Sequence, residues 1–230
     1  MKSFKFVFIV IFTFSVLSVF AQIETSAPIL SEKFLVESYE KKLNTKNVIS
    51  YEDIKGTPYW KKEYIEGKLY LNDTVVVQAP LRYNIYTDEI EYKSNDRNYA
   101  IGNPAYLKKA LIGKTTFLYI PFIGNGGYYE LLESGKCYLL QRRTMRFKPV
   151  EYAKPIIGTV PAEFIPEPDV FYLVVDNNRW YKIVSLKSVK NVMLDQEKMI
   201  DEFISREKIR SIKKENLIKI VKHYNSFVNN

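Results

Sequence analysis

Glu89-Ile90-Glu91 sets two carboxylates two residues apart, and in a β-strand that spacing puts both on one face. Such a pair can hydrolyse a glycosidic bond without histidine, cysteine or metal, one group acting as acid and the other as base or nucleophile. The neighbours Arg82, Asn84 and Lys93 favour a different reading, a solvated ladder of cross-strand charges. On that reading Glu89→Gln and Glu91→Gln leave stability nearly unchanged. A second chemical feature is basic. Arg142, Arg146 and Lys148 share strand parity, so a strand running on to Lys148 carries a stripe able to hold phosphate or uronate groups. A basic edge strand that resists aggregation explains the same residues.

Other chemistries find no support. Cys137 is the only cysteine and His223 the only histidine, too few for a Cys/His metal centre. Cys137 stands in a dense apolar stretch, where thiols are inert, so a Cys–His nucleophile is not expected. No serine lies in a GxSxG setting. Gly113-Lys114-Thr115 lacks the upstream glycine of a phosphate loop, since Lys108 stands there, and a strand-like run follows it. In Gly124-Asn125-Gly126-Gly127 the third glycine of a dinucleotide fingerprint is replaced by Tyr129. No cofactor and no metal site are expected, and the working assignment is non-catalytic.

The address comes from the first residues. Lys2 and Lys5 precede an uncharged, mostly apolar run over 6–20, and Val19-Phe20-Ala21 fits a signal peptidase site. The run is short for a membrane span. Residues 1–21 are therefore read as a signal peptide, with a mature chain from Gln22 that is exported, to the periplasm first and with the extracellular space as the alternative, and with no transmembrane segment. The chain has 230 residues and a formal charge of +8. Its basic residues are mostly lysine, which argues for solubility more than for a dedicated polyanion site, and nucleic acid is not expected as a partner.

These features need elements to position them. Residues 22–56 form a polar N-terminal segment, with a helix expected over 32–43. Residues 57–186 are read as an antiparallel β domain. Its clearest hairpin, 81–93, turns at Thr87-Asp88, pairing Ile85 with Ile90 and Tyr83 with Tyr92 on a core face, with Arg82, Asn84, Glu89 and Glu91 on the other. Further hairpins are expected for 64–71 with 74–78, for 128–133 with 136–143 (Glu133 opposite Lys136), and for 170–176 with 179–186 (Asp176 opposite Arg179). The last two are apolar on both faces and belong in the centre of a sheet or beneath helices. A further strand is expected over 115–121. Residues 149–168 hold five prolines, which excludes helix and central strand and leaves an extended crossover or rim loop. In 187–230 the period changes. Asp195 and Ser211 are expected to cap two helices whose stripes include Ile200, Phe203, Leu217, Ile220 and Tyr224. The fold class is α+β: an antiparallel meander or partial barrel covered by a C-terminal pair of amphipathic helices.

The signal peptide ending Ala21-Gln22, the Tyr/Lys-rich hairpin Pro80-Leu81-Arg82-Tyr83-Asn84-Ile85-Tyr86 and the closing His223-Tyr224-Asn225 resemble uncharacterised secreted proteins of Bacteroidota. That resemblance implies an envelope location and carries no activity. Asp73-Thr74-Val75 resembles the short O-glycan acceptor of envelope proteins in the same group, which makes Thr74 a candidate acceptor. Glu89-Ile90-Glu91 resembles the paired acids of jelly-roll glycanases without their central aspartate. The expected function is an envelope module that binds an anionic glycan, a lipid or a protein. An envelope glycan hydrolase and a lipid or lipoprotein carrier are the alternatives.

Overall fold

The computed structural model describes residues 39–40, 51–71, 74–95, 97–121, 126–152, 159–176 and 179–228. The expected signal segment lies outside these residues. Within the segment expected to be helical over 32–43, only Tyr39–Glu40 is described, and it is extended, not helical.

The first five strands are β1 (Tyr39–Glu40), β2 (Ile65–Leu71), β3 (Thr74–Asn84), β4 (Glu89–Ser94) and β5 (Arg97–Ala100). They are followed by β6 (Lys109–Ile112), β7 (Thr115–Ile120), β8 (Gly127–Glu133), β9 (Cys137–Arg142) and β10 (Met145–Lys148). The short β11 (Glu151–Tyr152) and β12 (Thr159–Val160) lead to β13 (Glu163–Pro166), β14 (Val170–Val175) and β15 (Arg179–Ile183). One antiparallel sheet runs β1-β5-β4-β3-β2-β6-β7-β8-β9-β14-β15, while β10 pairs with β13 and β11 with β12 in two-stranded sheets. Helices α1 (Leu186–Val192), α2 (Glu197–Arg206) and α3 (Lys214–Val228) close the fold. It is α+β, with an open sheet.

The sheet buries its inner face in two ways. From β3 to β8 it rolls. Strands lie about 4.8 Å apart, so a flat sheet would hold β3 and β8 about 19 Å from each other. Yet Tyr83 of β3 packs on Phe117 of β7 at 5.1 Å and on Tyr128 of β8 at 5.9 Å between ring centroids. From β8 to β15 the same face is covered by helices, through Leu139, Leu173, Ile200, Leu217 and Ile220, all fully buried. The outer face of this half carries a second cluster around Tyr129, Leu140 and Val174. The hairpins that read as apolar on both faces thus have a core on each side, with β8, β9 and β14 inside the sheet and β15 at its edge.

Three registers differ from expectation. In the β3–β4 hairpin Tyr83 pairs with Ile90 and Arg82 with Glu91, two residues from the expected slide, with the two faces unchanged. The loop takes Ile85–Asp88 because Asn84 Oδ1 accepts from the backbone N–H of Tyr86 and Thr87, and Ile85 N–H donates to Pro58 O instead of the ladder. In β14–β15 Val175 faces Arg179, with Asp176 in the left-handed conformation (φ 51°) inside a three-residue loop. That one-residue shift exchanges the faces of β15. In β8–β9 a bulge sets Glu133 opposite Leu139, not Lys136.

The helices also differ at their starts. Asp195 caps nothing: its two oxygens accept the Tyr224 hydroxyl, each at 3.0 Å. Ser211 sits ahead of α3 and accepts from Asn216 Nδ2. Helix α1 was not anticipated, and its signal is a capping box in which Ser185 and Ser188 satisfy each other's backbone N–H groups. Among the described residues the proline-rich stretch forms short pairings, β13 against β10, β11 against β12 and a parallel bridge of Glu163 with Lys55, as its composition requires.

Candidate functional site

The two carboxylates of β4 share a face, but they are not solvated. Glu91 is 1 % exposed. Its cross-strand partner Arg82 meets Glu91 Oε2 at 2.7 Å, Tyr64 donates its hydroxyl to the same oxygen at 3.2 Å, and Asn84 Nδ2 donates to Oε1 at 3.3 Å. The segment 57–64 passes over this face of β3, with Tyr59 bridged to Asn84 and Trp60 N–H bonded to Tyr83 O. It lays the Tyr59 and Tyr64 rings on the Arg82 guanidinium, 3.6 and 4.2 Å from their centroids. Burial raises the Tyr64 phenol to about 12, and Glu91's charge adds to this, so the ring stays neutral and donates. The expected solvated ladder is therefore a sealed ion pair, because an irregular segment with no strand period covers it.

Glu89 lies nearer the surface, where its Oε2 accepts the Thr87 hydroxyl at 2.7 Å. Burial first, and then the charge of Glu91, push its carboxyl up to about 7. One raised and one ion-paired carboxyl form the electronic pattern of an acid and a nucleophile. Geometry works against that use, since Glu91 is walled off by Arg82, Tyr59 and Tyr64.

The basic stripe is not assembled. The strand ends at Arg142, and β10 begins a different sheet at Met145. Arg142 turns back to the β3–β4 loop, where Nη2 meets Asp88 Oδ2 at 2.8 Å and Nη1 donates to Tyr128 O at 3.2 Å. Asp88 also accepts the Tyr83 hydroxyl at 2.7 Å. This latch fastens the rolled half without a backbone ladder. It also explains Gly127, where a Cβ would lie 1.5 Å from Arg142 Nη1. Arg146 is exposed, and Lys148 stands opposite Glu163, which Lys55 pairs at 2.8 Å. Thr74 opens β3, but its side chain is outside the described residues. Cys137 is fully buried, with its thiol pushed up to about 12 by burial, while His223 stacks on Phe203 at 3.9 Å. No group of described His, Cys, Asp or Glu residues could hold a metal ion.

One feature escaped the sequence reading. Where the rolled half, the helix-covered half and the β10–β13 sheet meet, a groove of about 540 Å³ opens. Tyr59, Trp60, Ile85, Met145 and Phe164 wall it, Arg143 lines its floor, and Glu167 and Asp169 stand on its rim. Trp60 is held edge-on to Phe117 at 5.3 Å, and Arg143 lies 5.6 Å from the Trp60 centroid while pairing with Glu130. Lys214 of α3 meets the same Glu130 at 2.9 Å. A rigid, aromatic concavity with few polar groups is the usual form of a ligand site. No family model, curated protein or solved structure matches this chain. The groove must therefore be read from its own chemistry. Its only sequence signals are Pro58-Tyr59-Trp60, aromatic without strand period, and the alternation Pro166-Glu167-Pro168-Asp169.

Proposed function

We propose that this chain is an exported, non-catalytic binding module of the cell envelope, with the Tyr59–Trp60–Phe164 groove as its ligand site. The groove itself carries the reading: it is large enough for a ligand, its aromatic walls are anchored by Phe117 and the small sheet, and it lies beside the sealed carboxylates. The half-barrel interior that a lipid carrier would leave open is filled by Tyr83, Phe117 and Tyr128. Among the described residues no helix is long and apolar enough to cross a membrane.

The test is calorimetric titration of the purified mature chain with peptidoglycan fragments, neutral and acidic glycans, anionic-lipid vesicles and extended peptides. One class is expected to bind saturably, and Thr57→Trp, which fills the groove from a loop, removes that binding while near-ultraviolet dichroism stays native. Binding unchanged in Thr57→Trp would remove the groove from the reading. The raised Glu89 carboxyl favours a glycan hydrolase as second reading. Glycan turnover abolished by Glu89→Gln, with the fold intact, would replace the binding module by that enzyme. Export rests on Lys2, Lys5, the apolar run and Val19-Phe20-Ala21. N-terminal sequencing is expected to find Gln22, and a cytoplasmic pool retaining Met1 would overturn it.

A further inference from the structure

We infer that the groove takes an extended peptide segment of another protein that carries arginine or lysine. The inference rests on the groove being the ligand site, as proposed above, and concerns which ligand it selects.

The charge at the rim runs against the charge of the chain. The protein is strongly basic, at a formal +8, yet the exposed groups on this rim are the acids Glu167 and Asp169. Neither has an ion-pair partner among the described residues. The nearby cations are already engaged: Arg143 and Lys214 share Glu130, and Lys61 lies over the Trp60 ring at 4.7 Å. Exposed acids beside Tyr59 and Trp60 offer a cationic side chain both charge and ring faces. Lys61 shows that the Trp60 ring accepts a cation, and its charge stands against a second one nearby.

Size and polarity select a peptide over a small cation. About 540 Å³ is far more than one ammonium group fills, and aromatic walls suit the extended, ring-bearing backbone of proline-containing segments. Arg143 lines this groove, held by its pairing with Glu130. Pro166 and Pro168 each fix φ beside the rim acids, so little order is lost when a ligand docks.

The experiment uses fluorescein-labelled octapeptides alternating Arg-Pro, Glu-Pro or Ser-Pro, measured by anisotropy on the full mature chain. The Arg-Pro probe is expected to bind best, and the Glu167→Gln/Asp169→Asn double variant to bind it about threefold to tenfold more weakly. Half-molar salt should narrow the difference between probes. Lys61→Gln is expected to tighten the Arg-Pro probe, a gain that structural damage cannot produce. Equal or better binding of the Glu-Pro probe, or weaker Arg-Pro binding in Lys61→Gln, overturns the cationic class. If Thr57→Trp abolishes binding of all three probes while the charge variants change nothing, the groove stands and the basic peptide falls. If Thr57→Trp leaves every probe unaffected, the groove itself falls.

Discussion

The two halves of the sheet solve one problem with different materials. Between β8 and β15 the inner face meets helices, and its core of Leu139, Leu173, Ile200 and Ile220 is almost wholly apolar. Between β3 and β8 no α-helix is present among the described residues; the sheet curls on itself and its rim is tied by side chains: Asp88 to Arg142, Tyr83 to Asp88, and Arg82 to Glu91 between two tyrosines. Apolar burial is non-directional and tolerates adjustment, whereas a buried ion pair is useful only while every partner stays in place. The rolled half is therefore the more breakable half, and it supplies Tyr59, Trp60 and Ile85 to the groove.

The sharpest way to expose that contrast is to remove one charge. Glu91→Ala leaves Arg82 buried without its anion and is expected to cost about 3–5 kcal/mol in urea denaturation. The double replacement Arg82→Leu/Glu91→Leu should recover much of that loss, since a packed apolar pair can match a buried ion pair. No recovery would mean that the tyrosine stacking on Arg82, more than the ion pair, holds the layer.

A smaller cut tests whether the halves are one cooperative unit. Arg142→Ala removes the latch and is expected to cost about 2–3 kcal/mol, the range for hydrogen bonds to charged groups. The two tryptophans report the halves separately, Trp60 beside the groove and Trp180 on the last strand. In the parent the two signals should change together on unfolding. In Arg142→Ala the Trp60 signal should change first, and coincident transitions would show that the hydrogen-bonded ladder alone couples the halves.

The smallest effect is a pH dependence. The Glu89 carboxyl is raised to about 7, so the folded state holds its proton more tightly than the unfolded chain does. For an acid shifted in this direction, stability is greatest below the unfolded value and falls as pH rises through about 7. Glu89→Gln is expected to add about 1 kcal/mol at pH 8 and almost nothing at pH 4, after allowing for solvent screening of a partly exposed group. A gain equal at both pH values would show that the carboxyl does not titrate in this window.

What could be read from the chain follows the same division. Ile90, Leu139, Leu217 and Ile220 betray their burial through periods of two or 3.6 residues, and the α+β class follows from them. Turn chemistry was less legible: Asn84 and Asp176 moved their hairpins because two hydrogen bonds to one side chain, or one left-handed residue, outweigh the regular pattern. The burial of Glu91 and the groove left almost no trace. Both depend on the irregular segment 57–64, and the groove also on 167–169, which have no repeating geometry and act only through where they land.

The last helix supplies one more dependence. Asn225, 5 % exposed, presents its amide to the β8–β9 hairpin as a strand would: Oδ1 accepts from Cys137 N–H at 2.9 Å, and Nδ2 donates to Cys137 O at 2.9 Å and to Ser134 O at 3.3 Å. This hairpin joins neighbours in sequence, yet its tip waits for a residue 88 positions later. At about 5–20 residues per second of synthesis the delay is about 4–18 s. Throughout it Cys137 lacks the cover of α3. The finished molecule hides that sulfur completely, so the time at which oxidation can reach it is the interval before α3 docks.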